Sequence, residues 1–204
     1  MLRRLVLSGL VLAVAAALAA ALAAPAALAA RVHVRVEGKT TTIFGAPEPF
    51  VAPASTPLEA LDDASVLGEF FYHVKQFSFG PFVDQIGRYA STDTGGWLFK
   101  VNGASPQVGA DKVALKDGDR VLWYWADFSA SGPSEKTLLL TRTSRNCYRV
   151  FALDDAGART APTGASLRVD GRTRRAPAGT ACVGKHRGLV RAFAPATVRS
   201  NALA

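Results

Sequence analysis

Residues 5–24 form an unbroken apolar run built almost wholly from Leu, Ala and Val. Arg3 and Arg4 precede it, Pro25 closes it, and Ala27-Leu28-Ala29 puts small residues at the two positions a signal peptidase reads. The plan is that of a signal peptide over residues 1–30, cleaved after Ala29 or Ala30. At roughly 20 residues the run is also long enough to span a bilayer, so an uncleaved leader is the one route by which this sequence would meet a membrane.

Beyond the leader the apolar period shortens to two. Residues 32–36 alternate Val with His and Arg, which predicts a strand with one buried face. The β-branched and aromatic residues 40–44 return as the second arm of a hairpin, and residues 45–57, with four prolines, make a loop. One helix is expected, over residues 57–67. Thr56 caps it, Glu59 sits in its first turn, Leu58, Leu61 and Val66 lie near one face, and Gly68 ends it. Phe70, Tyr72, Val74, Phe77 and Phe79 begin a strand-like segment punctuated by Gly80-Pro81. Residues 97–101 read as a buried strand closed by an Asn102-Gly103 turn, and residues 113–125 as strand, turn and strand around Lys116-Asp117-Gly118-Asp119.

From Thr137 onward, short β-type runs recur at 138–141, 147–153, 165–169, 188–194 and 197–202, with turn clusters between them. That spacing suits a small sandwich. The fold class expected is therefore mostly β: an α+β first domain over residues 31–135, then a β-sandwich domain over 136–204.

Charge divides the chain at the same place. Residues 31–135 hold 9 Lys and Arg against 13 Asp and Glu, while residues 136–204 hold 13 against 3. Arg172, Arg174, Arg175, Lys185, Arg187, Arg191 and Arg199 are expected to share one face of the sandwich and to attract a polyanion. Export removes nucleic acid from the partners and leaves an anionic cell-envelope polymer or glycan. Cys147 and Cys182 are the only cysteines, and in an exported chain an even pair predicts a disulfide.

Catalytic patterns are missing from the sequence. His33, His73 and His186 have no metal-ligand spacing, and there is no Gly-x-Ser-x-Gly elbow, phosphate-cradling glycine loop or His-Glu-x-x-His pair. A nucleophile built from Cys182 and His186 would need the thiol free. The reading is a non-catalytic protein without cofactor or metal. Both faces of the strand at 120–125 are apolar or aromatic. One packs on the helix, and the other is either covered by the basic domain or exposed as a platform on which a small molecule or glycan stacks. The residues assigned to that ligand are Trp97, Trp123, Tyr124 and Trp125, with Asn102 as a polar contact.

Gly96-Trp97, Val101-Asn102-Gly103, Gly109 and Leu115-Lys116-Asp117-Gly118-Asp119-Arg120-Val121-Leu122-Trp123 occur in order at compact spacing. In these elements the chain resembles the transcobalamin-type C-terminal domain family, whose bacterial members are a domain of unknown function. The resemblance covers residues 31 to about 128. It implies a small sheet with one helix, of the ubiquitin-like grasp type. In the animal vitamin B12 carriers that domain closes over cobalamin beside a helical barrel, which this chain lacks, so cobalamin is a secondary reading. Gly164-Ala165-Ser166-Leu167-Arg168-Val169-Asp170-Gly171 and the closing strands are similar to small extracellular sandwiches of the carboxypeptidase-regulatory or Ig-like kind. A structural or adhesive surface protein is the remaining alternative.

Overall fold

The alternation over residues 32–36 becomes β1 (His33–Glu37), with Val32, Val34 and Val36 all in the interior. The computed structural model describes residues 29–51, 53–129, 132–133 and 135–204; the signal peptide expected over residues 1–30 lies outside them but for its last two residues. After β1 come β2 (Thr42–Phe44), α1 (Pro57–Gly68), β3 (Tyr72–Phe77), β4 (Gly80–Ile86), β5 (Tyr89–Ala90), β6 (Gly95–Val101), β7 (Arg120–Ser129) and β8 (Gly132–Pro133). The second half holds β9 (Lys136–Ser144), β10 (Cys147–Leu153), β11 (Arg159–Thr160), β12 (Ser166–Val169) and β13 (Arg172–Arg175). It closes with β14 (Thr180–Cys182), β15 (Val190–Phe193), β16 (Thr197–Val198) and β17 (Ala202–Leu203).

The first sheet runs β2-β1-β7-β6, with β1 and β7 parallel and the outer pairs antiparallel. One helix lies against it, which is the ubiquitin-like grasp arrangement. Thr56 caps the helix as expected, its Oγ1 accepting from the Glu59 N–H at 3.2 Å, while the Glu59 carboxylate accepts from the Ser55 N–H at 2.7 Å. The apolar face differs from the expected one. Ala60, Leu61 and Ala64 are buried, whereas Val66 is 76% exposed, because α1 meets the sheet through its small residues. Glu69, in the left-handed region, ends the helix one residue later than predicted.

Two other local readings need correction. The hairpin joining β3 to β4 turns at Ser78-Phe79, and Gly80-Pro81 already belong to β4, with Gly80 at a φ of 121°. Residues 113–115 form no strand: Leu115 makes one backbone bond, to Ser55 O, and the segment runs as a loop into the 116–119 turn. That turn is held by carboxylates. Asp119 accepts from the Lys116 N–H and from the Asn102 amide, both at 2.8 Å, and Asp117 accepts from the Arg31 N–H.

In the second half, β11-β10-β9-β16, with β14 beside β10, faces β13-β12-β15-β17. Leu138, Leu140, Tyr148 and Val150 pack against Leu167, Val169, Val190 and Ala192 between the sheets, so the sandwich is formed. Cys147 and Cys182 are paired across β10 and β14 as a disulfide. Asn201 fills a gap in the outer ladder: its amide accepts from Leu140 N at 2.8 Å and donates to Leu140 O at 3.1 Å.

The two halves meet on the back of the first sheet. Arg35 and Glu37 of β1, Leu122, Tyr124 and Ala126 of β7 and Lys100 of β6 are all buried there. The expectation of one buried face for β1 is thus overturned, because the sandwich covers the other face. Val198 packs into the Leu122, Tyr124 and Ala126 cluster. Lys100 Nζ donates to Asp154 O at 2.6 Å and to Leu153 O at 3.3 Å. Gly103 permits this approach, since a Cβ there would meet Leu153 at 2.4 Å.

A buried ionic network completes the contact. Glu37, fully buried, is shared by Arg35 at 3.2 Å, Arg199 at 2.9 Å and Arg191, with the Thr42 hydroxyl at 3.0 Å. Arg191 and Arg199 therefore leave the proposed polyanion face: they are committed to an acid of the first half. Arg172, Arg174, Arg175, Lys185 and Arg187 remain exposed.

Candidate functional site

The strongest concave surface of the first half is an aromatic groove of about 630 Å3 between the tip of the β3-β4 hairpin and the loop at 106–112. Its wall at the hairpin comes from the two-residue turn. Phe77 and Phe79 flank Ser78, and their rings stack at a centroid distance of 5.1 Å and an interplanar angle of 9°, with Phe82 edge-on to Phe77 at 6.1 Å. Phe79 lines the groove and is 73% exposed. Covering the exposed Phe79 side chain would be worth about 1.5–3 kcal/mol.

The floor comes from the sheet. Trp97 and Phe99 of β6 and Trp123 of β7 lie beneath the groove, with Phe99 and Trp123 at 5.2 Å. Each indole is fixed by its N–H: Trp97 donates to Tyr89 O at 2.8 Å and Trp123 to Pro57 O at 3.2 Å. Trp97 also meets Trp125 edge to face at 5.9 Å. The far wall is loop 106–112, whose Val108 is half exposed, and it is pinned to the start of α1 by the Leu58 N–H on Ala110 O. A Cβ at Gly109 would meet the Asp111 carboxylate at 2.7 Å, so the loop turns tightly there. Two polar side chains reach the groove, Gln107 and Lys112; the Lys112 ammonium, 2.9 Å from Asp111, holds that carboxyl below its ordinary range.

Of the residues assigned from the sequence, Trp97 and Trp123 are brought to one place, as the floor of this groove. The exposed platform itself is not formed. Trp97, Trp123, Tyr124 and Trp125 are all buried, because the helix covers one face of β7 and the sandwich covers the other. Tyr124 faces the sandwich, where burial raises its hydroxyl pKa. Trp125 packs with Tyr89 and Trp97 in the core. Asn102, at a positive φ, is a turn residue that ties Asp119 to the Arg120 N–H. Phe79, Phe82, Phe99 and Val108 were not assigned from the sequence; the signal available was three phenylalanines within six residues of a Gly-Pro pair.

Polar chemistry is sparse in the groove. No pair of titratable groups faces it at acid-base distance, and among the described residues no group of three or more His, Cys, Asp or Glu is placed to hold a metal ion. Cys182 is joined to Cys147, and His186 is engaged by the Tyr148 hydroxyl at 3.0 Å and by Gly188 O at 2.9 Å. No helix of the described residues is long and apolar enough to cross a membrane.

Residues 58–127 match the model of a family described as a domain of unknown function, DUF4430. The match spans α1 to β7, and so contains the groove. No curated protein matches the chain. Among solved structures, one described as a "putative metal binding protein" from Ruminococcus gnavus is similar over 49% of this chain and 99% of its own. It has 16% identity and a TM-score of 0.39.

Proposed function

We propose that the protein is an exported, non-catalytic binding protein whose first half takes a small molecule with a flat apolar face in the groove between Phe79 and Val108. The observation that carries the reading is the Phe77-Phe79 stack held in solvent beside a groove floored by two tryptophans. The volume lies within the roughly 300–1,000 Å3 usual for small-molecule sites, and the balance of many apolar walls and few polar groups is that of such a site. A flat ring or the apolar face of a sugar would stack on Phe79 and Phe99, with Gln107 and Lys112 supplying orientation. A corrinoid is too large for a groove of this size, so cobalamin would need a second protein to cover it. The exposed arginines of the sandwich, Arg172, Arg174 and Arg175 on the edge strand β13, suit an anionic envelope polymer.

Export also fixes a preference for the cleavage point. Ala30 exchanges two backbone hydrogen bonds with Ala54, at 3.0 and 2.9 Å, and is 4% exposed. Cleavage after Ala29 keeps that pair, whereas cleavage after Ala30 removes it. Mass spectrometry of the secreted chain should find Ala30 as its first residue.

The groove is tested with 8-anilinonaphthalene-1-sulfonate, a probe with flat rings and one anionic group. Saturable fluorescence enhancement at one site per chain is expected, lost in Phe79→Ser and kept in Phe50→Ser, a change at an exposed ring elsewhere. Binding that is absent, or that survives Phe79→Ser unchanged, removes the small-molecule reading and leaves the aromatic tip as a protein contact.

A further inference from the structure

Three guanidiniums and one carboxylate, those of Arg35, Arg120, Arg159 and Glu48, line a second cavity between the two halves, beside the Glu37 network. Glu48, 8% exposed, bridges Arg35, at 3.0 Å, and Arg120. Glu37 is divided among Arg35, Arg191 and Arg199. Two acids thus serve four guanidiniums. Arg159 enters from the opposite wall, on β11, and among the described residues it has no acidic partner; its guanidinium lies 5.5 Å from the Phe151 ring. Buried cations are normally matched by anions, because taking a charge out of water costs several kcal/mol that a partner must offset. The buried Arg35 shares both of its acids with other guanidiniums, and the solvent-exposed Arg159 adds a further cation at the cavity wall.

The cavity beside this network encloses about 270 Å3 and is lined at its charged side by Arg35, Arg120, Arg159 and Glu48, three guanidiniums to one carboxylate. Leu122, Leu139 and Leu153 line the rest, so the chamber is cationic at one side and apolar at the other. Arg120, although 44% exposed, still feels the neighbouring positive charge: burial and the Arg35 guanidinium both lower its pKa. Arg191 is brought down to about 10, by burial in the first place and then, against the pull of Glu37, by Arg35 and Arg199. His33 is lowered by burial, Arg120 and Arg31.

We infer that the cavity between the halves is a binding site for a small aliphatic carboxylate, its anionic end on Arg35, Arg120 and Arg159 and its tail against Leu122, Leu139 and Leu153. Guanidinium forks match carboxylate geometry and pair with it more strongly than neutral donors do. The tail requirement follows from the leucines, which offer a phosphate or chloride ion nothing. Because both halves supply walls, such a ligand would favour the docked arrangement by binding it alone. The site is separate from the aromatic groove, and the two proposals stand or fall independently.

The test uses the mature, disulfide-intact chain in thermal unfolding at constant ionic strength, with sodium hexanoate as the probe. Hexanoate should raise Tm in a saturable way, while hexanamide, sodium phosphate and sodium chloride should not. Arg159→Gln, at an exposed position, should weaken the apparent affinity about tenfold or more, the loss of one charge-assisted pair. Leu139→Phe, which fills the chamber from a half-exposed position, should abolish the effect, and Phe79→Ser should leave it intact. A response to phosphate or chloride as large as that to hexanoate overturns the proposal. So does an Arg159→Gln chain that binds hexanoate as tightly as the wild type.

Discussion

The two faces of the central sheet are both buried, and by opposite means. Toward α1, Val34, Val36, Trp97, Trp123 and Trp125 make a face of apolar contacts, opening at one end into the aromatic groove. Toward the sandwich, the same strands present Glu37, met by Arg191 and Arg199, and Lys100, met by the Leu153 and Asp154 carbonyls, while Arg35 is held between Glu37 and Glu48. Register explains the contrast: Val36 pairs with Trp123 while Glu37 pairs with Tyr124, so one step along either strand exchanges the faces. An apolar face tolerates variation in its partner. A charged one accepts only a partner that supplies the matching charge, which makes the second face the more specific contact and the first the more adaptable one.

That contrast can be broken by mutation. Glu37→Ala should have the largest effect, about 3–5 kcal/mol in urea unfolding, because it leaves the largely buried Arg191 and Arg199 without their acid and Arg35 with Glu48 alone. If charge pairing alone is at issue, Glu37→Leu combined with Arg191→Met and Arg199→Met should recover most of the loss, since a well-packed apolar cluster can replace a buried ionic one. On the other face, Trp123→Phe should cost less, about 1–2 kcal/mol, through the lost bond to Pro57 O. Thr56→Ala, which removes only the cap of α1, should cost about 1 kcal/mol.

The smallest effect is a pH dependence away from both faces. The Asp170 carboxylate accepts from the Arg187 and Gly188 N–H groups, at 3.0 and 2.8 Å, and these hold its pKa below the usual 3.8. A depressed carboxylate contributes stability that is complete above its unfolded pKa and is lost as pH falls through the folded one. The difference in unfolding midpoint between wild type and Asp170→Asn should therefore be constant from pH 7 to about pH 5 and shrink below pH 3.8.

Local signals in the sequence were sufficient for β1 and for the helix cap. Alternating valines place β1, and Thr56 with Glu59 marks where α1 begins, since both depend on neighbours within a few residues. Burial of Arg35 and Glu37 was not legible, because the groups that cover Glu37 arrive 154 and 162 positions later. The same distance misplaced Arg191 and Arg199, which alternation alone puts on an outward face. The groove was half legible. Trp97 and Trp123 stood out by residue type, but Phe79 was read into a strand because the turn at Ser78-Phe79 carries neither Asn nor Gly; its unusual backbone angle falls on Gly80 instead.

On the proposed function, a ligand meets this protein at the open groove rather than on the strand aromatics as a whole. Indole N–H resonances of the three tryptophans, assigned by Trp→Phe variants and followed during titration with 8-anilinonaphthalene-1-sulfonate, test it most directly. The Trp97 and Trp123 signals should shift together and saturate while Trp125 moves least. A titration in which Trp125 shifts most, or in which none of the three responds to a bound probe, would contradict it.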